Sequence, residues 1–273
     1  MLKETIGFIG GGNMARSLIG GLVARGLPAA QVTVSEPIAT QRQALNSSLH
    51  VNVTEDNKVA ARNSLVILAV KPQNLRSVAT EIASVVQAHR PLVISIAAGI
   101  RTADLQRWLG GIPIVRCMPN TPALTGHGVT GLFATDDVSP SGRQLAAEIL
   151  GAVGPALWVD KERDIDAVTA VSGSGPAYFF LLIEMLEASG VALGLTQVVA
   201  HRLAVETAFG AAHMARGTVE SAAVLREQVT SKGGTTEAAL RHLESANVRG
   251  IFAAAIAAAA KRSAELADQL GKD

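Results

Sequence analysis

Through the first half of the chain, short apolar runs ending in glycine or small polar residues alternate with stretches of helical spacing. Residues 6–9 (IGFI) form the first run, and 14–25 then repeat apolar positions at helical spacing until Gly26 and Pro28 stop them. Val32-Thr33-Val34 and residues 65–70, 92–96, 114–117, 129–134 and 156–159 read as further strands. Helices are predicted over 75–86, 102–109 and 140–150, the last opened by Ser139 as cap and Pro140 in its first turn. Strands that are apolar throughout must be covered on both faces. Their alternation with helices therefore predicts an α/β fold with a parallel, doubly wound sheet.

Beyond about Asp160 the strand signals cease, and 164–171, 176–188, 198–216, 222–229, 236–243 and 248–270 all read as helix. The expected organisation is a doubly wound domain over 1–160 and an all-helical domain over 161–273. Lys161-Glu162-Arg163-Asp164 marks the boundary as a short charged helix start rather than a flexible linker. The alanine run at 253–260 suits close helix packing, in a bundle or at a subunit interface. One stretch breaks the helical tail: Ser231-Lys232-Gly233-Gly234-Thr235-Thr236. Two glycines cost helix stability, and the hydroxyls beside them serve something other than packing.

Composition narrows the function classes. With 48% apolar and 17% charged residues, 273 residues suffice for two folded domains. A net charge of +1, with acids and bases interspersed, leaves no footprint for nucleic acid or an anionic membrane. The single cysteine, Cys117, rules out an internal disulfide and a cysteine metal cluster, and is expected to be buried in a strand. Met1-Leu2-Lys3-Glu4 leads straight into a strand pattern, without the look of a signal peptide, and the apolar run 251–260 is too short to span a bilayer. A soluble, cytoplasmic protein is expected.

Candidate chemistry gathers at the strand ends. Gly10-x-Gly12-x-x-Ala15 follows the first strand and opens the first helix. Gly10 permits the sharp turn, Gly12 leaves room for a pyrophosphate, and Ala15 allows close helix–strand packing; together they predict dinucleotide binding. The second strand ends in Ser35-Glu36, with Arg42 nearby. An acid there suits the 2′-hydroxyl of NAD, whereas serine with arginine suits the 2′-phosphate of NADP, so this reading leaves both open. Lys71-Pro72 ends the strand over 65–70, where it faces a ligand or forms an ordinary solvated turn. "SIAAG" (95–99) and "RCMPNTPAL" (116–124) end two later strands. Small residues there admit a ring, and Asn120 and Thr121 offer partners for a carboxamide.

Protein-borne chemistry is scarce. Histidines 50, 89, 127, 201, 213 and 242 have no metal-ligand spacing, and neither HExxH nor G-x-S-x-G is present, so no metal is expected. "SGSGP" (172–176) reads as a helix joint. The cofactor is expected to carry the reaction and the protein to supply position and electrostatics.

Five stretches, "IGFIGGGNMA", "LAVKPQ", "RCMPNTP", "AVSGSGPAY" and "QVTSKGGTTEAALRHLE", together resemble the pyrroline-5-carboxylate reductase family, in order and over nearly the whole chain. Lys232 departs from the proline the family often carries. The resemblance implies a Rossmann domain followed by a helical domain through which subunits dimerise, with further assembly commonly into decamers. It implies reduction of L-1-pyrroline-5-carboxylate to L-proline with NADPH preferred and NADH accepted. Gly10, Gly11, Gly12, Asn13, Met14, Ser35, Asn57, Ala69, Val70, Lys71, Pro72 and Ala97 would serve the cofactor. Ser231, Gly233, Gly234, Thr235 and Thr236 would hold substrate, with Glu220 matching a family acid nearby. Thr236 and Lys71 are the candidate catalytic residues, Thr236 by hydrogen bonding to the ring nitrogen. A related imine reductase, a β-hydroxyacid dehydrogenase and a non-catalytic dinucleotide-binding regulator are the competing readings. The β-hydroxyacid dehydrogenases use a lysine early in the helical domain, and "GSGPAYFFLLIEML" has none.

Overall fold

The computed structural model describes residues 4–272; Met1, Leu2 and Lys3, on which the expected absence of a leader partly rests, lie outside the described residues. The chain divides into two compact units, Met1–Ser174 with Ala259–Asp273, and Gly175–Ala258. The first unit therefore runs beyond residue 160, because Ile165 and Ala267 are buried in its interior.

Eight strands form the sheet of the first unit: β1 (Ile6–Ile9), β2 (Val32–Ser35), β3 (Asn52–Thr54), β4 (Leu65–Leu68), β5 (Leu92–Ser95), β6 (Ile114–Met118), β7 (Thr130–Ala134) and β8 (Ala156–Trp158). Their order is β3-β2-β1-β4-β5-β6-β7-β8, so the chain reverses direction across the sheet at β1. That reversal is the place where open α/β sheets bind ligands. All neighbours are parallel except β6 and β7, which are antiparallel. The sheet is thus mixed rather than parallel throughout. Between β6 and β7 the chain makes only a 3-10 turn, Thr121–Thr125, and lacks the crossover helix that a parallel neighbour requires.

Alternate strand residues feed two cores. Ile6, Phe8, Val32, Val34, Leu65 and Ile67 pack with Leu18, Ile19 and Leu22 of α1 (Asn13–Ala24) and Leu45 of α2 (Ala39–Leu49). Ile9, Val66, Leu68, Val93 and Ile114 pack on the other side. There they meet Ala60 of α3 (Asn57–Ala60), Leu75, Ala79 and Ile82 of α4 (Pro72–His89), and Leu105 and Leu109 of α5 (Thr102–Leu109). The helix α6 (Pro140–Leu150) returns to the first core through Ala146, Ile149 and Leu150. Burying both faces is why these strands read as unbroken apolar runs.

After β8, α7 (Asp164–Val168) passes through a π-helical turn, Thr169–Gly173, into α8 (Gly175–Ala192). The joint expected at 172–176 is therefore a bulge within one helix, Asp164–Ala192, rather than a break. That helix is long and apolar enough to cross a membrane by length and composition, with 11% of its apolar window buried inside the chain. The second unit continues with α9 (Gln197–Arg216), α10 (Ala222–Gln228), α11 (Thr235–Ser245) and the first part of α12 (Val248–Leu270). It has almost no core of its own: α8 leaves Phe179 62% and Phe180 65% exposed. An apolar surface of this kind marks an association face.

Candidate active site

The glycine loop joins β1 to α1 with its backbone pinned at both sides. Gly10 adopts φ +100° and donates its N–H to the Ser35 carbonyl at 2.8 Å, while Ala69 donates to Ile9 O at 2.8 Å. A side chain at Gly10 is excluded twice, by that dihedral and by the Ala69 carbonyl, 2.7 Å from a Cβ placed there. Gly12 caps α1 without any side chain bonded to the first-turn amides, and a Cβ on it would meet nothing within 4 Å. Open space in front of uncapped N–H groups fits a pyrophosphate, with Asn13 exposed and Met14 half-buried beside it.

At the end of β2, Ser35 is buried and its hydroxyl donates to Asn57 Oδ1 at 2.7 Å; Asn57 in turn donates Nδ2 to Glu81 at 2.9 Å. Ser35 and Asn57 are therefore brought together. Glu36 is 7% exposed, and its two carboxylate oxygens accept from the N–H groups of Gly11 and Ile38, each at 3.1 Å. Arg42 donates to the carbonyls of Glu36 and Pro37 at 2.7 and 2.8 Å and pairs with Glu55 at 3.2 Å.

Across the reversal point, Ala69 and Val70 follow β4 half-buried, and Lys71, exposed, takes the N-cap position of α4 with Pro72 in its first turn. The helix begins three residues earlier than its apolar pattern, because proline fixes the first turn without needing an N–H. Ala97 is buried just beyond β5. Asn120, after β6, is committed internally: its Nδ2 donates to Ser172 O at 3.1 Å and its Oδ1 accepts from Val129 N at 2.9 Å. It ties the β6–β7 turn to the π-helical turn, and Thr121 beside it is exposed.

A buried charge network that the sequence pattern did not reveal lies behind β6. Arg116 is 1% exposed and donates to Glu162 at 3.0 Å, and Glu162 also accepts from the Thr102 N–H at 2.7 Å and the Thr102 hydroxyl at 2.9 Å. Arg101 pairs with Asp166 at 2.7 Å, and Asp166 accepts from the Ser263 hydroxyl at 2.8 Å. Desolvation lowers the Arg116 pKa, Glu162 opposes that shift, and the Arg116 Nε remains unpaired. Arg116 within an apolar strand is the one sign of it in the sequence, since Glu162 is hidden in the charged run Lys161-Glu162-Arg163-Asp164.

In the second unit, the break in the helical tail is the turn into α11. Gly233 adopts φ +73° and donates its N–H to Glu237 Oε2 at 2.7 Å, while Gly234 donates to Ser231 O at 3.0 Å. Gly234 is the N-cap of α11, no side chain caps the helix, and Thr235 and Thr236 supply its first turn. Ser231, Gly233, Gly234, Thr235 and Thr236 are thus gathered at one helix start. Glu237 was the residue missed here, although its place three after the cap is a recognisable sign. Glu220 lies before α10 and accepts from Gln228 Nε2 at 2.9 Å.

The remaining candidates have ordinary roles. Cys117 is buried, its Sγ donates to Ser95 O at 3.3 Å, and burial pushes its thiol far above the usual range. His201 bonds Glu187 at 2.8 Å and His213 stacks on Phe209. Among the described residues no group of three histidine, cysteine or acidic side chains could hold a metal.

Two family models match the chain: pyrroline-5-carboxylate reductase dimerisation over residues 162–266, and NADP oxidoreductase, coenzyme F420-dependent, over residues 5–99. A pyrroline-5-carboxylate reductase of Pseudomonas aeruginosa is 49% identical, covering 100% of both chains. The structure of the Coxiella burnetii pyrroline-5-carboxylate reductase superposes with a TM-score of 0.93 at 42% identity, covering 97% of this chain and 99% of that one. That of the Plasmodium falciparum reductase, solved with NADP bound, gives 0.85 at 28% identity, with 98% and 99% covered. A pyridine-nucleotide cofactor is supported by the matched oxidoreductase model and by the glycine-loop geometry.

Proposed function

The chain belongs to the pyrroline-5-carboxylate reductase family, and we propose that it catalyses the NAD(P)H-dependent reduction of L-1-pyrroline-5-carboxylate to L-proline, the last step of proline biosynthesis. The observation carrying this reading is the turn into α11, where an uncapped helix start is combined with Ser231, Thr235 and Thr236. The substrate is a ring with one carboxylate and one imine nitrogen, and the turn offers something to each.

In this reading the first-turn backbone amides at Thr235 and Thr236, with the hydroxyls of Ser231 and Thr235, bind the carboxylate, while the Gly234 N–H stays on the Ser231 carbonyl. Gly233 makes the turn and Glu237 fixes it through the Gly233 N–H. The imine accepts a hydride readily only when its nitrogen is protonated, and the Thr236 hydroxyl oxygen accepts from that N–H. A substrate arriving as the iminium needs no strong protein acid, so Glu220 is assigned to the substrate and Lys71 to the cofactor as charges rather than as proton donors. When bound, the reduced nicotinamide supplies the hydride to the imine carbon. Gly10, Gly11, Gly12, Asn13 and Met14 hold the pyrophosphate; Ser35 and Asn57 line the adenosine side; Ala69, Val70, Lys71, Pro72, Ala97 and Asn120 line the nicotinamide side. Holding the two reactants in line supplies most of the rate.

The first unit is assigned to the cofactor, and the second, Gly175–Ala258, to the substrate and self-association. The chain oligomerises through its C-terminal helical domain. A homodimer is the unit we assign, with decamers built from it, in the cytoplasm. The resemblance carries an order of preference, NADPH before NADH, and the residues ending β2 decide whether this chain keeps it. The test is spectrophotometric: loss of reduced nicotinamide on adding pyrroline-5-carboxylate. Thr236→Ala removes one hydrogen bond to a charged group and should lower kcat/KM roughly ten- to a hundredfold. Undiminished turnover in that variant would overturn the assignment of Thr236, and no oxidation by the wild type would overturn the function.

A further inference from the structure

We infer that Glu36 makes this chain select NADH over NADPH, by placing a fixed negative charge where the 2′-phosphate of NADPH would lie. The inference rests on the pyridine-nucleotide reading above and sharpens it at the adenosine end. The carboxylate is immobile: Glu36 is 7% exposed, and Gly11 and Ile38 each donate a backbone N–H to it at 3.1 Å. Its own N–H donates to the Thr54 carbonyl at 3.0 Å, so the chain cannot swing it aside without breaking the β2–β3 edge. Through the Gly11 bond it is attached to the loop whose open side fits the pyrophosphate.

The charges around it oppose a phosphate. No arginine or lysine pairs with the Glu36 carboxylate among the described residues. Arg42, the cation expected to receive a 2′-phosphate, bonds the carbonyls of Glu36 and Pro37 and is paired with Glu55. Arg16, the other nearby guanidinium, donates to the carbonyls of Gly11 and Gln41. The Ser35 hydroxyl donates to Asn57. A 2′-phosphate would therefore meet an uncompensated carboxylate and arginines already bonded elsewhere. A ribose 2′-hydroxyl meets the opposite situation. A carboxylate offers about four acceptor positions, and two here take backbone N–H groups, which leaves acceptor capacity for hydroxyl donors.

Calorimetric titration without substrate tests this apart from turnover. The wild type should bind NADH about tenfold or more tighter than NADPH, the scale of a like-charge contact of this kind. ADP-ribose should beat its 2′-phosphorylated form by a similar ratio, which locates the effect at the adenosine end. Glu36→Gln keeps the size and one acceptor while removing the charge, and should reduce the NADH advantage about tenfold. Equal or tighter NADPH binding by the wild type would overturn the inference, as would a Glu36→Gln variant that shifts both affinities by one factor. If that variant fails to fold, the ratio for the two ADP-ribose forms on the wild type decides alone. Tight, NADH-selective binding without turnover of pyrroline-5-carboxylate would support this inference and count only against the proposed reaction.

Discussion

Arg116 carries a charge into the sheet interior, and its cost is met mainly by Glu162, its hydrogen-bonded partner, with a smaller contribution from Asp166. Removing one partner of a buried ion pair leaves the other uncompensated, which typically costs ~3–5 kcal/mol. Glu162→Ala should therefore lower the melting temperature markedly, more than an exposed substitution such as Asp268→Ala. Replacing both partners, Arg116→Met with Glu162→Leu, should recover much of that loss, and thermal denaturation of the three variants checks it. A double variant no more stable than the single would contradict the account. Cys117 behaves in the opposite way, as a small apolar residue with a suppressed thiolate, so thiol reagents should modify it only after denaturation.

At the scale of elements, the turn into α11 is held open by backbone conformation rather than by packing. Gly233 sits at φ +73° with nothing within 4 Å of a Cβ built on it. Gly233→Ala should thus cost about 1–2 kcal/mol of local strain alone. It should raise KM for pyrroline-5-carboxylate while leaving NADH affinity unchanged, a split that a general folding defect would not produce. The apolar runs and the glycine loop made β1, β2, β4 and the later strands legible in the sequence. By contrast β3 has three residues, one of them exposed Asn52, and α2 buries only Leu45, so neither carries a period to detect. The reversal at β7 was equally hidden, since alternation looks the same in either strand direction and connection length decides it. Ser35 and Glu36 left the cofactor choice open in the sequence, because nothing there shows Glu36 turning inward onto Gly11.

For the whole molecule, the helix α8 is apolar on every side, a pattern that usually means burial inside the same chain. Here Phe179, Phe180, Leu181 and Leu182 remain exposed, on a helix that lies within the stretch matched by the dimerisation family, residues 162–266. Phe180→Glu should shift sedimentation toward the monomer, and an unchanged assembly would show that this face lies elsewhere than the subunit contact. Whether the chain reduces pyrroline-5-carboxylate to proline is decided by supplying a cofactor with deuterium on its transferring carbon and analysing the product. The expected product is L-proline carrying a single deuterium on the ring carbon that was doubly bonded to nitrogen. Unlabelled proline, or no proline while the cofactor stays reduced, would contradict it.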